Sequence, residues 1–146
     1  MNASVFDPDT FLSSTTTEAS STEYVPVPEG EYLAVVTKVA ARATERAKIL
    51  DVTWEIDDEA VKAETGLEHP TVRQSVFLDV NEQGALETGK GKNVDLGRLR
   101  EAVGQNTPGQ PWSPTMLEGQ VARVRVAHRM YEGRTYADVK GVAKAS

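Results

Sequence analysis

Hydrophobic and polar residues alternate with a period of two in three segments between residues 31 and 80, a pattern that predicts β-strands. The segments are residues 31–40, 48–56 and 71–80. Successive side chains of a strand point to opposite faces, so one face of each segment should be buried. The predicted core-facing residues are Leu33, Val35 and Val39 on the first strand, Leu50, Val52, Trp54 and Ile56 on the second, and Val72, Val76, Leu78 and Val80 on the third.

The spacing of apolar residues then changes to three and four, which predicts an amphipathic helix. Its apolar stripe consists of Leu96, Leu99, Ala102 and Val103. Asn93 or Asp95 is expected to cap the start of this helix, and Gly104 is expected to end it. Between the second and third strands, the polar segment from Asp57 to Pro70 predicts a long loop with room for a helical turn.

Residues 117–142 alternate on both sides of a Glu132-Gly133 turn, as the two strands of a β-hairpin do. The predicted apolar face consists of Ala122, Val124, Val126, Met130, Ala137 and Val139. The opposite face is basic and aromatic and consists of Arg123, Arg125, Arg129, Tyr131, Arg134, Tyr136 and Lys140. Single-stranded nucleic acid is a ligand that uses both positive charge and aromatic rings.

The order of three strands, a helix and two strands is typical of the OB-fold, a five-stranded Greek-key barrel. We therefore predict a mainly β protein with one OB-fold-like domain over residues 26–146. Residues 1–25 are rich in Ser and Thr and acidic, and are expected to form a flexible tail. The alternative is another small β-barrel or sandwich that carries one helix.

The net charge of −6 is unevenly distributed along the chain. Residues 88–146 contain ten basic and five acidic residues, whereas residues 31–87 contain twelve acidic and six basic residues. A local basic groove is compatible with this distribution, provided that acids of residues 31–87 face away from it. The alternative is that acids and bases simply occupy different faces of the domain.

Further candidates for nucleic-acid contact lie outside the hairpin. Phe77 shares the outer face of the third strand with Arg73, where a base could stack; alternatively, Phe77 packs under the long loop or the N-terminal segment. Lys90 and Lys92 are candidates for phosphate contacts or simply solvated loop residues. The surrounding Gly/Lys loop lacks the hydroxyl residue of a nucleotide-binding loop, because Gly91 occupies that position. Tyr131 and Tyr136 could stack bases, stabilise the hairpin as a cross-strand pair, or do both.

The sequence lacks the residues that several kinds of catalytic and metal-binding site require. There is no cysteine, and His69 and His128 do not have metal-ligand spacing. His128 is expected to be a core or rim histidine, and Trp112 to cover one end of the barrel. We expect no enzymatic activity, metal or cofactor. No segment has the length of a membrane span or the pattern of a signal peptide, which predicts a cytoplasmic protein without membrane contact.

The N-terminal segment contains a short acidic and aromatic sequence that could dock on a protein partner. Its residues are Phe6, Asp7, Asp9, Phe11 and Leu12. The alternative is a solvated tail with incidental aromatic residues.

Five segments together resemble bacteriophage proteins of replication and recombination gene clusters, namely OB-fold single-stranded DNA-binding proteins. They are residues 27–32 (VPEGEY), 75–80 (SVFLDV), 92–104 (KNVDLGRLREAVG), 117–126 (LEGQVARVRV) and 131–134 (YEGR). The resemblance covers residues 26–143 and rests on turns and strands. It implies a non-enzymatic protein that coats single strands during phage DNA replication or recombination, in the host cytoplasm.

The chain departs from bacterial-type single-strand binders at its C-terminus, which is short and basic instead of acidic with an aromatic tip. If replication or recombination proteins are recruited through such a tail, Phe6 to Leu12 is the candidate. The rival functions are a structural or assembly module of a virion and an inhibitor of a host factor. A homo-oligomer is compatible with all of these functions.

Overall fold

The computed structural model describes residues 5–145, and within this range five strands form a closed barrel. The strands are β1 (Gly30–Ala43), β2 (Lys48–Ile56), β3 (Thr71–Leu78), β4 (Val121–Tyr131) and β5 (Arg134–Ala143). Their order around the barrel is β1, β2, β3, β5, β4, with β3 and β5 parallel and the other neighbours antiparallel. This order confirms the predicted OB-like barrel.

The helices are α1 (Pro8–Leu12), α2 (Glu59–Thr65), α3 (Val94–Ala102) and a 3₁₀ helix (Pro114–Leu117). Helix α3 lies between β3 and β4, as predicted, and α2 is the helical turn for which the polar loop left room. The Asp58 carboxylate caps α2 by accepting the Val61 N–H at 3.0 Å, and Gly66 ends it with φ 75°. In the described part of the chain, no helix has both the length and the apolar character needed to cross a bilayer.

The core confirms the predicted face of β2, whose Leu50, Val52, Trp54 and Ile56 are buried. The prediction for β1 was wrong at its start: Ala34 and Val36 enter the core, while Leu33 is 37% exposed. Both faces of this segment carry apolar residues, so alternation alone does not determine which face is buried. A bulge after Val36 shifts the phase, and Val39 therefore packs against the core as predicted.

Trp112 packs against the core from the loop before the 3₁₀ helix, as expected for a residue that closes one end of the barrel. Its indole Nε1 donates a hydrogen bond to Gln105 Oε1 at 2.8 Å. The guanidinium carbon of Arg100, on α3, lies 4.2 Å from the centre of the indole ring. These contacts connect α3 to the segment that leads into β4.

Asn93 closes the loop between β3 and α3 instead of capping the helix with its side chain, which corrects one predicted role. Its Oδ1 accepts the Asp79 N–H at 2.8 Å, and its Nδ2 donates to the carbonyls of Asp79 and Glu87 at 2.9 Å. Its own N–H donates to Asp79 Oδ2 at 2.8 Å, and φ is 52°. These bonds draw Asp79 into the loop, so β3 ends at Leu78 instead of reaching Val80 as predicted.

We expect Asn93→Ala to lower the free energy of unfolding by about 2–3 kcal/mol, measured by urea denaturation. The variant loses three side-chain hydrogen bonds, each worth about 1 kcal/mol, and places a Cβ without a polar group at positive φ. Asn93→Gly is the matched control: it also loses the hydrogen bonds but tolerates the positive φ, so it should be less destabilised. These hydrogen bonds form what we call the Asn93 clamp. A loss below about 0.5 kcal/mol for Asn93→Ala would contradict its role in holding the loop between β3 and α3.

Candidate nucleic-acid interface

The outer face of β2 and β3 lies between two turns of the barrel. The β1–β2 turn is closed by the Thr44 N–H, which donates to the Ala47 carbonyl at 2.8 Å. The β4–β5 turn has φ 50° at Glu132 and 77° at Gly133, as a type I′ turn requires. Because β3 is parallel to β5, the start of β3 lies toward the β4–β5 turn and its end toward the β1–β2 turn. The face therefore spans from one turn to the other.

Phe77 lies near the end of β3, on this outer face, and is 61% exposed. It therefore does not pack under the loop or the N-terminal segment, which was the alternative to a stacking role. Its neighbour across the strands is Ile49, which is buried although it lies outside the main core cluster. Arg42 is the neighbour of Ile49 on β1. The buried Ile49 therefore lies between an exposed ring on β3 and an arginine on β1.

Asp51 on β2 organises the centre of the face. Its Oδ2 accepts a hydrogen bond from Arg42 Nε at 2.6 Å, and its Oδ1 accepts one from Ser75 Oγ at 3.0 Å. Burial raises the pKa of Asp51, but these hydrogen bonds and the charges of Arg42 and Arg73 together outweigh it, so the pKa lies below its ordinary value. Asp51 is therefore ionised at neutral pH and holds Arg42 in place.

We expect Asp51→Asn to lower the free energy of unfolding by about 1 kcal/mol at pH 7, a modest value because half of the Arg42 side chain is exposed. A carboxyl whose pKa is lower in the folded state stabilises the fold above its unfolded pKa of about 4. This contribution is lost as the pH falls through the lower folded-state pKa. Urea denaturation at pH 7 and at about pH 3 should therefore show the difference between the two proteins shrinking at the acidic pH. An equal difference at both values would contradict the assignment.

Arg73 and three residues of the hairpin meet beside the start of β3. Arg73 pairs with Asp138 of β5 in the parallel ladder, and the Asp138 carboxylate accepts a short hydrogen bond from Arg129 Nε. The guanidinium carbon of Arg129 lies 4.7 Å from the centre of the Tyr136 ring, directly across the hairpin. This cation–π contact holds a ring and a positive charge together on the face.

Tyr131 and Arg134 flank the turn itself and lie directly opposite each other. Tyr131 is 59% exposed. Because Tyr136 lies opposite Arg129, each of the two tyrosines has an arginine as its direct cross-strand neighbour. The hairpin therefore pairs rings with guanidinium groups, and not the two tyrosines with each other as one alternative held.

The structure does not bring the remaining hairpin cations to this face. Arg123 and Arg125 lie opposite Leu33 and Glu31 of β1, at the far end of β4. There they line a shallow groove with Glu31 and residues 141–143. Helix α3 contacts both β3 and β5, and it lines a groove with Val142 and Ala143 at the end of β5. The residues of the predicted basic face of the hairpin therefore lie on two separate surfaces.

A bulge in the hairpin accounts for the position of Lys140. The register shifts between Arg125 and Val126 of β4, and Lys140 is the unpaired residue on β5. Its side chain is exposed, and its carbonyl lies 3.4 Å from Arg125. The predicted apolar position of Met130 was also wrong, because the hairpin projects beyond the barrel and leaves Met130 69% exposed. Lys140 therefore belongs with the arginines at the far end of β4.

Lys90 and Lys92 lie in the loop between β3 and α3. Both are exposed, and Lys92 Nζ lies 3.7 Å from Glu87 Oε2. The Asn93 clamp holds the end of this loop beside Asp79. Both lysines are therefore accessible to a ligand, and the charge of Lys92 is partly neutralised by Glu87.

The requirement that the acids of residues 31–87 face away from the groove is not met throughout. Asp51 and Glu55 lie on the outer face of β2, with Asp51 bound to Arg42 and Glu55 Oε2 at 3.0 Å from His69 Nδ1. Alternation alone put these acids on the face opposite Trp54. Each of these acids therefore has a partner on the face, Arg42 for Asp51 and His69 for Glu55.

The predicted acidic and aromatic segment contains α1, whose start is capped by Asp7. The Asp7 carboxylate accepts hydrogen bonds from the Asp9 N–H at 3.1 Å and Thr10 Oγ1 at 2.9 Å, and the hydrogen bond from Thr10 is the main cause of its lowered pKa. The rings of Phe6 and Phe11 pack on each other with centres 5.1 Å apart. Phe6, Phe11 and Leu12 are all exposed, so this segment presents its apolar residues to solvent. Residues 1–4 of the predicted tail lie outside the described part.

The segment just before β1 lies against the β4–β5 hairpin. His128 Nε2 donates to the Val27 carbonyl at 2.8 Å, and the His128 N–H donates to Glu29 Oε2 at 2.8 Å. Val27 is buried. His128 is therefore a rim residue, one of the two roles predicted for it, and it fixes the chain where it enters the barrel.

Sequence reasoning missed Tyr24, which lies on this segment within the predicted flexible tail. Thr22, Tyr24 and Pro26 line a groove together with residues 134–136 of β5. The available signal was the run of Val and Pro from Val25 to Pro28, since prolines restrict the backbone to extended conformations. We call residues 22–29 the N-terminal arm.

The face can bind a polyanion through arginines and unpaired bases through exposed rings. Within residues 5–145, no three His, Asp or Glu side chains come close enough together to hold a metal ion. A comparison of the sequence with protein-family models and with curated proteins found no match.

Proposed function

We propose that this protein binds single-stranded DNA without enzymatic activity and acts in phage DNA replication or recombination, in the host cytoplasm. The observation that carries the proposal is the row of rings and arginines on one face of the barrel, in which Phe77 and Tyr131 are exposed and Tyr136 is half-buried. The row begins with Phe77 at the end of β3, continues through Arg73, and ends with Arg129, Tyr136 and Tyr131 at the β4–β5 turn.

The physical argument is that single strands need two kinds of contact at once. Phosphates are bound by cations, and each base–aromatic stack contributes about 1–3 kcal/mol regardless of the base. A duplex hides the faces of its bases, so exposed rings favour single strands. The arginines that are paired with acids on the face can still bind a phosphate, because a guanidinium has five N–H donors and an ion pair through Nε leaves the others free.

The decisive experiment measures binding to labelled oligo-dT and to the matching duplex by fluorescence anisotropy at several salt concentrations. We expect a preference for the single strand and a slope of log affinity against log salt of about −0.7 per neutralised phosphate. Arg73→Gln should make this slope shallower by about 0.7. Arg98→Gln, which removes the same charge from the exposed face of α3, should leave the slope unchanged.

A flat salt dependence, or equal effects of the two arginine variants, would overturn the proposal. Absence of binding to either DNA would favour the rival role of a structural or interaction module. In that case, self-assembly into large particles without nucleic acid would be the property to measure.

We further propose that the N-terminal segment binds a partner protein. Exposed Phe6, Phe11 and Leu12 next to Asp7 and Asp9 form a small apolar and acidic surface. Such a surface suits a basic, apolar groove on a replication or recombination protein. Deletion of residues 5–14 should then remove capture of the partner while leaving affinity for oligo-dT unchanged.

A further inference from the structure

We infer that the groove between the N-terminal arm and β5 binds an unpaired nucleobase, with Tyr24 and Tyr136 as the stacking residues. The inference rests on the proposed function and adds a site to it. Its residues are Thr22, Tyr24 and Pro26 from the arm, and Arg134, Thr135 and Tyr136 from β5. The groove has a volume of about 790 Å³ and opens to solvent.

The arm is held in place where it approaches the groove. His128 binds the Val27 carbonyl and the Glu29 carboxylate, and Tyr32 Oη donates to the Pro28 carbonyl at 2.8 Å. Because Val27 is buried, the chain cannot leave the barrel without exposing an apolar side chain. Two prolines close to this anchor restrict the backbone, so the position of Tyr24 is limited although its side chain is 69% exposed.

The chemistry of the walls favours a nucleotide. Tyr136 is already stacked with the Arg129 guanidinium, which holds the ring on the face. Arg134 is exposed at the rim and supplies a cation for a phosphate. Thr22 adds a hydroxyl group that can bind the edge of a base, whereas the Thr135 hydroxyl donates to Met130 Sδ at 2.9 Å and can only accept a hydrogen bond from a base. A ring on each side, a cation and hydroxyl groups are the contacts that a nucleotide with an unstacked base uses.

The groove also continues the row of rings proposed above. Arg134 lies four residues before Asp138 on β5, and Phe77 lies four residues after Arg73 on β3. Since the two strands are parallel, eight residue steps separate the ends of the row, about 26 Å at 3.3 Å per residue. A single strand that stacks on Phe77 at one end can therefore reach Tyr24 at the other.

Two measurements on the full chain test the inference. Tyr24→Ala should weaken binding of an oligo-dT of about 16 nucleotides by about 5- to 150-fold, the effect of one lost stack. Tyr24→Phe keeps the ring and should bind like the wild type. Phe11→Ala, which removes an exposed ring of the same N-terminal segment outside the groove, should also bind like the wild type. In addition, 5-iodouracil placed at successive positions of the oligonucleotide should crosslink to Tyr24 and Phe77 from positions several nucleotides apart.

The outcomes separate this inference from the proposed function. If the wild type binds oligo-dT and Arg73→Gln weakens binding, but Tyr24→Ala stays within twofold and no crosslink reaches Tyr24, the groove is not a base site and the proposed function stands. An equal loss for Tyr24→Ala and Phe11→Ala would also overturn the inference, since it would assign the effect to the whole N-terminal segment. If the wild type binds no DNA, the proposed function itself fails.

Discussion

Phe77→Ala is expected to weaken binding of oligo-dT by about 5- to 150-fold while leaving the free energy of unfolding within about 1 kcal/mol of the wild type. The affinity loss follows from one lost base stack, worth about 1–3 kcal/mol. The small effect on stability follows from the exposure of the ring, which buries little apolar surface beyond its contact with Ile49. Anisotropy titrations and urea denaturation of the same preparations measure both quantities.

Two further variants make this prediction specific. Phe77→Trp keeps a stacking ring and should retain most of the affinity. Leu67→Ala truncates another exposed apolar residue, in the loop before β3, and should change neither quantity. A loss of stability equal to the loss of affinity would show that Phe77 supports the barrel instead of stacking a base.

Trp54→Ala is expected to have the largest effect on stability, lowering the free energy of unfolding by about 3–5 kcal/mol. Trp54 is 0% exposed and belongs to the main core cluster, so its truncation leaves a cavity that the surrounding strands cannot fill. It also removes the hydrogen bond from Trp54 Nε1 to Gln74 Oε1, 3.0 Å long, between β2 and β3. A loss of this size is a large part of the stability of a small domain.

Circular dichroism during urea denaturation measures the loss, and Trp54→Phe is the graded comparison. Phenylalanine fills most of the volume but lacks the indole N–H, so its loss should be intermediate. Trp112→Ala should cost less than Trp54→Ala, because Trp112 is only partly buried at the end of the barrel. A loss below about 1 kcal/mol for Trp54→Ala would contradict the assignment of Trp54 to a closely packed core.

Local sequence patterns were sufficient to predict much of the fold. The alternation from Leu50 to Ile56 predicted both the bounds of β2 and its buried face, because one side of that segment is apolar and the other is polar. The position of α3 followed from its apolar spacing and from Gly104 beyond its end. The exposure of Phe77 followed from its phase opposite to Val76 and Leu78. In each case the signal comes from residues that are close to one another in the sequence.

The remaining features depend on partners that are distant in the sequence. The phase of β1 is set by pairing with β2 and β4 and by the bulge after Val36, since the sequence from Leu33 to Val36 would suit either face. The division of the hairpin arginines depends on where β3 and α3 meet β5. Tyr24 became a candidate only through the contacts between its arm and His128.

By itself, then, the sequence determined the five strands and α3, and it determined the buried side of strands with one apolar and one polar face. It did not predict α1 or the 3₁₀ helix. Side-chain alternation and apolar spacing are local properties, and burial of apolar surface follows them directly. Tertiary structure alone decided which exposed side chains share a surface. Register, bulges and the parallel contact between β3 and β5 arise from pairing between distant strands, and a shift of one residue moves every side chain to the other face.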